Sequence, residues 1–145
     1  MSVVDEINHF YYRMALHELQ MMNGSDAFSG LSYNSLLYLN VIDVTEDCTV
    51  TKLADALSIT RSAATLKVND LVRQGAVLRE QSQADKRVNY IRLSPEMSRA
   101  MRLYDKLFER IEERLKDQYT PQELSLFEEI LHEISRYDWR RIQIE

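Results

Sequence analysis

The segment RSAATLKVNDLVRQGAVLREQSQADKRVNYIRLS, residues 61–94, changes its hydrophobic period partway along. As far as Gly75, the apolar residues follow helical spacing. Ala64, Val68, Leu71 and Val72 fall on one face, and Ser62, Thr65, Leu66, Asn69 and Arg73 fall on the other. Gly75 stands where a glycine closes a helix. Beyond it, AVLREQ (76–81) and VNYIRL (88–93) are β-prone stretches of matching length, separated by the polar loop SQADKR. The spacing predicts a helix followed at once by a hairpin with Asp85, Lys86 and Arg87 at its tip.

Upstream, VTKLADAL (50–57) reads as a short helix with Thr49 as N-cap, although Lys52 at the third helical position spoils a capping box. Only SIT separates it from the helix at 61. Two short helices joined by about three residues, the second with a small, polar and basic outer face, form a helix-turn-helix pattern. A helix enters the major groove of DNA only if its leading face is slim, a condition that Ser62, Ala63, Thr65 and Asn69 meet. The same residues suit any solvated helix surface. The hairpin favours the groove reading, because a two-stranded ribbon after a helix-turn-helix is a wing.

In its helix-turn-helix, wing and wing exit, TKLADALSITRSAATLKVNDLVRQGAVLREQSQADKRVNYIRLSPE (51–96) resembles the winged-helix transcriptional regulators of the MarR type. Asp85 and Arg87 around Lys86 match that family's Asp-x-Arg wing signature. The resemblance implies that Arg87 reaches into the minor groove, whose narrow form concentrates negative potential, while Asp85 pairs with a nearby arginine such as Arg61. It also implies a small aromatic or amphipathic effector bound between the flanking helices and the winged helix, where Tyr11, Met14, Tyr33, Leu37, Met101 and Tyr104 are candidates. Core packing is the competing reading for each of these six. The chain departs from the family in placing Leu66 and then Lys67 after Thr65, an order that turns Leu66 toward the groove. It also has Met97 where the family has glycine.

The implied fold is mainly α with a small two- or three-stranded β-wing, a winged helix-turn-helix plus a helical dimerisation region. Residues 1–31 supply an N-terminal dimerisation helix, 32–94 the DNA-binding region, and 95–145 the C-terminal dimerisation helices, in one compact chain. Val3, Ile7, Phe10, Tyr11, Met14 and Met21 mark the first helix. Leu36, Leu37, Leu39, Val41 and Ile42 mark a second that begins near Ser32. In the fifth, Met97, Met101, Tyr104, Phe108, Ile111 and Leu115 alternate steps of four and three, a coiled-coil seam. TPQE (120–123) opens the sixth with a full capping box. A lone winged helix reads one half-site. A homodimer on a pseudo-palindromic operator of double-stranded DNA is therefore expected.

Charge supports a localised polyanion contact. The chain holds 18 basic and 23 acidic residues, a net charge of −5. Thr51 to Leu93, however, carries eight basic residues (Lys52, Arg61, Lys67, Arg73, Arg79, Lys86, Arg87, Arg92) against four acidic ones (Asp55, Asp70, Glu80, Asp85). The flanks keep 10 against 19, so a centre of +4 lies between arms totalling −9. The expected contacts are Arg61, Ser62, Ala63, Thr65, Leu66, Lys67, Asn69 and Arg73 on the recognition helix; Arg79, Asp85, Lys86 and Arg87 on the wing; and Lys52 on phosphate.

Other chemistry is sparse. His9, His17 and His132 lack ligand spacing, so no metal or cofactor is expected. With 3 glycines there is neither a phosphate loop nor a nucleophile elbow, and no enzyme is predicted. Cys48, the single cysteine, forms no internal disulfide and has no clear basic neighbour to activate it. No apolar run reaches the roughly 18 residues of a membrane span and the first residues lack signal-peptide order, so a cytoplasmic location is expected. The competing function is a winged-helix protein–protein interaction module without specific DNA binding, with Leu66 and the acidic arms in the partner surface.

Overall fold

A computed structural model describes residues 1–138; the end of the expected C-terminal region, 139–145, lies outside the described residues. The chain divides into two compact units, Met1–Met101 and Arg102–Glu145. The division falls inside the helix Pro95–Gln118.

The first unit holds α1 (Val3–Gly24), a 3-10 turn (Asp26–Phe28), α2 (Tyr33–Val44), α3 (Val50–Leu57), α4 (Arg61–Arg73), β1 (Val77–Gln81), β2 (Asn89–Leu93) and the start of α5 (Pro95–Gln118). Each helix start is set by a side chain that satisfies an otherwise orphan amide. Ser2 and Asp5 form a capping box on α1, and Ser32 caps α2. Thr49 Oγ1 accepts from the Lys52 amide at 3.2 Å, and Thr60 Oγ1 from the Ala63 amide at 3.1 Å. The turn between α3 and α4 is made by Ser58, which takes a left-handed conformation at φ 54°. Gly75, at φ 75°, closes α4 and reverses the chain into β1.

The hairpin is antiparallel, with Val77 opposite Leu93 and Gln81 opposite Asn89. It is a two-stranded sheet; the Ile91 amide also donates to the Cys48 carbonyl at 2.8 Å, tying the hairpin to the segment before α3. The core of this unit joins Leu36, Leu39 and Ile42 of α2, Leu53 and Ala54 of α3, Ala64, Val68 and Leu71 of α4, Val77 and Ile91 of the hairpin, and Met97, Ala100 and Met101 of α5. Met97, where the family pattern has glycine, thus contributes a core side chain.

The second unit comprises α5 from Arg102 onward and α6 (Pro121–Arg136). The capping box on α6 is present, with Pro121 in the first turn. The α5 seam changes character along its length: Met97 and Met101 are buried, Tyr104 and Leu115 are half-buried, and Phe108 and Ile111 are exposed. The expected stripe on α1 behaves similarly. Val3, Ile7 and Phe10 are exposed, and only Met22, in the last turn, is buried. No helix among the described residues is long and apolar enough to cross a membrane.

The inner and outer faces of α4 have different energetic weights. Leu71, fully buried, should lose about 2–5 kcal/mol of stability on replacement by Ala, whereas Leu66→Ala, on the solvent side, should stay within about 0.5 kcal/mol. Denaturant unfolding of the two variants tests this, and equal midpoints would reverse the assignment of faces.

Candidate nucleic-acid interface

Burial of Ala64, Val68 and Leu71 turns Ser62, Ala63, Thr65 and Leu66 into solvent on the opposite side of α4, with Asn69 half-buried beside them. Leu66 is 68% exposed. The Thr65 hydroxyl donates back to the Arg61 carbonyl at 2.9 Å, a local bond that common helix geometry provides. Asn69 does not stand free: its Oδ1 accepts from the Arg79 guanidinium of β1, so two expected contact residues hold one another. Arg73 pairs with Asp70 one turn earlier. Lys67 places its ammonium 5.6 Å from the centre of the Tyr38 ring on α2, a cation–π contact.

Lys67, Asp70, Arg73 and Gln74 line a polar cleft of about 360 Å³ whose other wall is Gly30, Ser32 and Ser35 at the start of α2. Gln74 Nε2 donates to the Gly30 carbonyl across it at 3.1 Å. Lys52 Nζ donates to the Glu46 carbonyl at 3.1 Å.

The wing tip is organised around Asp85. Its backbone amide donates to Ser82 Oγ at 3.2 Å, and its carbonyl accepts from Val88 at 2.9 Å. Its carboxylate receives the Arg87 backbone amide at 3.0 Å and the Arg87 guanidinium on both oxygens, at 3.1 and 3.2 Å. The pairing of Asp85 with Arg61 expected above is therefore corrected. Arg87, two residues away, is already within bidentate reach, while Arg61 has no ion-pair partner among the described residues. Gln81 Nε2 donates to the Lys86 carbonyl at 2.7 Å, leaving the Lys86 side chain outward. The Arg87 side chain is 90% exposed despite its bond to Asp85.

Sequence reasoning missed the root of the wing. Arg92 of β2 bonds Glu80 on β1 and Asp47 in the loop before α3, the latter at 3.1 Å, and stacks 5.1 Å from the Tyr90 ring. The diagonal between Arg92 and Glu80 was readable from the hairpin register. Asp47, 45 residues away, has a left-handed φ of 47°, and only the folded chain brings it to Arg92.

The expected effector residues differ in their surroundings. Tyr11 is exposed, and Leu37 partly so. Tyr33 donates to Glu18 at 2.9 Å, and Met101 belongs to the core. An apolar cleft of about 350 Å³ in the second unit is lined instead by Leu115, Tyr119, Glu123, Leu124 and Phe127. Cys48 is buried; burial pushes its thiol up, against the opposing field of Lys52. Lys52 is a basic neighbour that the sequence did not reveal. Among the described residues no three His, Cys, Asp or Glu side chains are grouped to hold a metal ion.

Comparison with known proteins assigns this architecture. The model of the MarR family matches residues 31–88, from the start of α2 through the wing tip, and so bears out the resemblance. A comparison with curated proteins gives no match. Among solved structures, FabT of Streptococcus pneumoniae in complex with DNA is 21% identical with a TM-score of 0.75, covering 92% of this chain and 93% of that one. A MarR-like transcriptional regulator of Thermotoga maritima is 18% identical with a TM-score of 0.67, covering 94% and 99%. The adhesin competence repressor AdcR of Streptococcus pyogenes is 19% identical with a TM-score of 0.63, covering 93% and 96%. These chains share the fold.

The side-chain bond from Arg87, seconded by the Arg87 amide, holds the Asp85 carboxyl below its ordinary 3.8. A carboxyl depressed by folding stabilises the loop above its unfolded value, and this support disappears as pH falls through the depressed one. In an NMR titration, Asp85 should titrate below 3.8 in the intact protein and move back up toward that value in Arg87→Ala. An unmoved midpoint would show that Arg87 does not hold the carboxylate.

Proposed function

We propose that this chain, whose residues 31–88 are a MarR-family winged helix, is a homodimeric, sequence-specific DNA-binding transcriptional regulator, a repressor released by a small effector. The observation that carries the proposal is the pairing of a slim exposed α4 face with a charged hairpin tip on one unit. Arg61, Ser62, Ala63, Thr65, Leu66 and Asn69 would face bases. Lys52, Lys67, Arg73, Arg79 and Lys86 would face phosphates, and Arg87 would enter the minor groove. Such a surface belongs in the cytoplasm, beside the genome.

Exposed apolar residues support the dimer. Ile7 and Phe10 on α1, Leu107, Phe108 and Ile111 on α5, and Phe127, Ile130 and Ile134 on α6 leave apolar surface in contact with water, and a second copy would cover it. Two-fold symmetry would place two recognition helices about 34 Å apart, one turn of DNA. An aromatic or amphipathic effector is part of the same proposal, with Tyr11, Met14, Tyr33, Leu37, Met101 and Tyr104 as its candidate contacts.

Titration onto labelled DNA from upstream of the protein's own gene, against scrambled DNA and at several salt concentrations, tests the DNA reading. Preference for the upstream DNA with log K falling steeply in log salt is expected. Arg87→Ala should lower affinity about tenfold while leaving the dimer intact. Flat or absent binding would favour the protein-binding module. Sedimentation should give about twice the 17.1 kDa chain mass, and Ile130→Glu should shift it toward one. A wild-type monomer would remove the dimer from the proposal.

A further inference from the structure

The geometry points to methyl recognition: we infer that α4 identifies thymines in the major groove through apolar contact with their C5 methyls, with Leu66 as the principal reader. This rests on the proposal that α4 lies in that groove.

The polar capacity of the exposed α4 face is largely committed elsewhere. Guanine is read by a guanidinium or ammonium on its O6 and N7, and adenine by an amide that accepts from N6 while donating to N7. Arg73 is held by Asp70, and Lys67 lies over Tyr38. Asn69 Oδ1, the atom an adenine would need, is taken by Arg79. The Thr65 hydroxyl donates to the Arg61 carbonyl at 2.9 Å, which spends its one hydrogen and leaves the oxygen as an acceptor only, beside the exposed methyl. Ser62 bonds to any base and discriminates little. Arg61, at the first helical position, is the one α4 cation without a partner among the described residues.

Beside Arg61 and Ser62, what remains facing outward is hydrocarbon: Ala63, the Thr65 methyl and Leu66. A leucine 68% exposed in the middle of an otherwise small and polar face gains from a binding partner only if that partner offers apolar surface. Of the four bases, only thymine presents a methyl in the major groove. Neighbouring charges also avoid competing with it, since Lys67 is turned toward Tyr38 on α2.

The test separates this inference from the proposal it rests on. Duplexes are selected from a random pool with the wild-type protein, and each thymine of the selected sequence is then replaced by deoxyuridine, which removes the methyl and keeps the base pair. At least one replacement should weaken binding about fourfold, the value of one buried methyl-sized group. Leu66→Ala, whose fold circular dichroism checks, should bind thymine and uracil duplexes equally at that position. A preference for A·T pairs due to Arg87 in the minor groove does not register the swap, because the methyl lies in the other groove.

If every uracil duplex binds as well as its thymine parent, or if Leu66→Ala still distinguishes the two at every position, methyl reading by Leu66 is overturned while DNA binding stands. Failure to enrich any duplex would remove both.

Discussion

Exclusion of Ala64, Val68 and Leu71 from water is the constraint on which the interface depends. With 3.6 residues per turn, fixing those three side chains leaves α4 no freedom to roll. α3, with Leu53 buried, and β1, with Val77 buried, both pack on α4, so two elements hold the stripe. The identity of the outward residues then follows without any interaction of their own. A face selected in this way can be slim, apolar or chemically plain, because it does not stabilise the helix that carries it. Leu66 remains in water for that reason: the energy that holds α4 in place comes from the opposite side.

The same core controls the wing. An isolated two-stranded hairpin is marginal in water, yet this one carries three charged residues, Asp85, Lys86 and Arg87, at its far end. Its root compensates. Val77 and Ile91 are buried, the Ile91 amide reaches the Cys48 carbonyl, and Arg92 bonds carboxylates on the neighbouring strand and in the loop before α3. Each anchor alone is modest; exposed ion pairs contribute roughly 0–1 kcal/mol. Together they fix the direction of the ribbon, and Asp85 fixes the loop beyond it. On the proposed DNA reading, the Asp85–Arg87 pair would also resolve an electrostatic conflict, since a carboxylate carried toward phosphate is repelled unless a cation accompanies it.

Local rules made much of this legible. The helix starts at Thr49 and Thr120 followed from capping chemistry, the end of α4 from Gly75, and the hairpin from β-prone stretches around a polar loop. Each depends on residues within a few positions of each other. Nonlocal contacts escaped. Lys67 over Tyr38, Arg79 on Asn69 and Arg92 on Asp47 join residues on different elements, and nothing in the sequence says which of several long cationic side chains a given acceptor will capture. The pairing of Asp85 was misjudged in the opposite direction, because the partner proved closer in sequence than the one expected. The α5 seam gave a correct period but could not reveal that its first two members enter a core while Phe108 and Ile111 stay in water.

Folding also redistributes the charge counted along the chain. Of the eight basic residues between Thr51 and Leu93, Arg73, Arg87 and Arg92 are bonded to carboxylates, and Lys52, Arg61, Lys67, Arg79 and Lys86 have no carboxylate partner among the described residues. Three of the four acidic residues there, Asp70, Glu80 and Asp85, are the ones so bonded. The net positive charge of the region is therefore carried mainly by five side chains whose acceptors, where they have them, are neutral: a carbonyl, an amide oxygen and an aromatic ring. The flanks, with 19 acidic residues against 10 basic, are repelled by the same polyanion. In the proposed DNA complex, the basic centre, which lies wholly in the first unit, would draw α4 and the wing toward the polyanion.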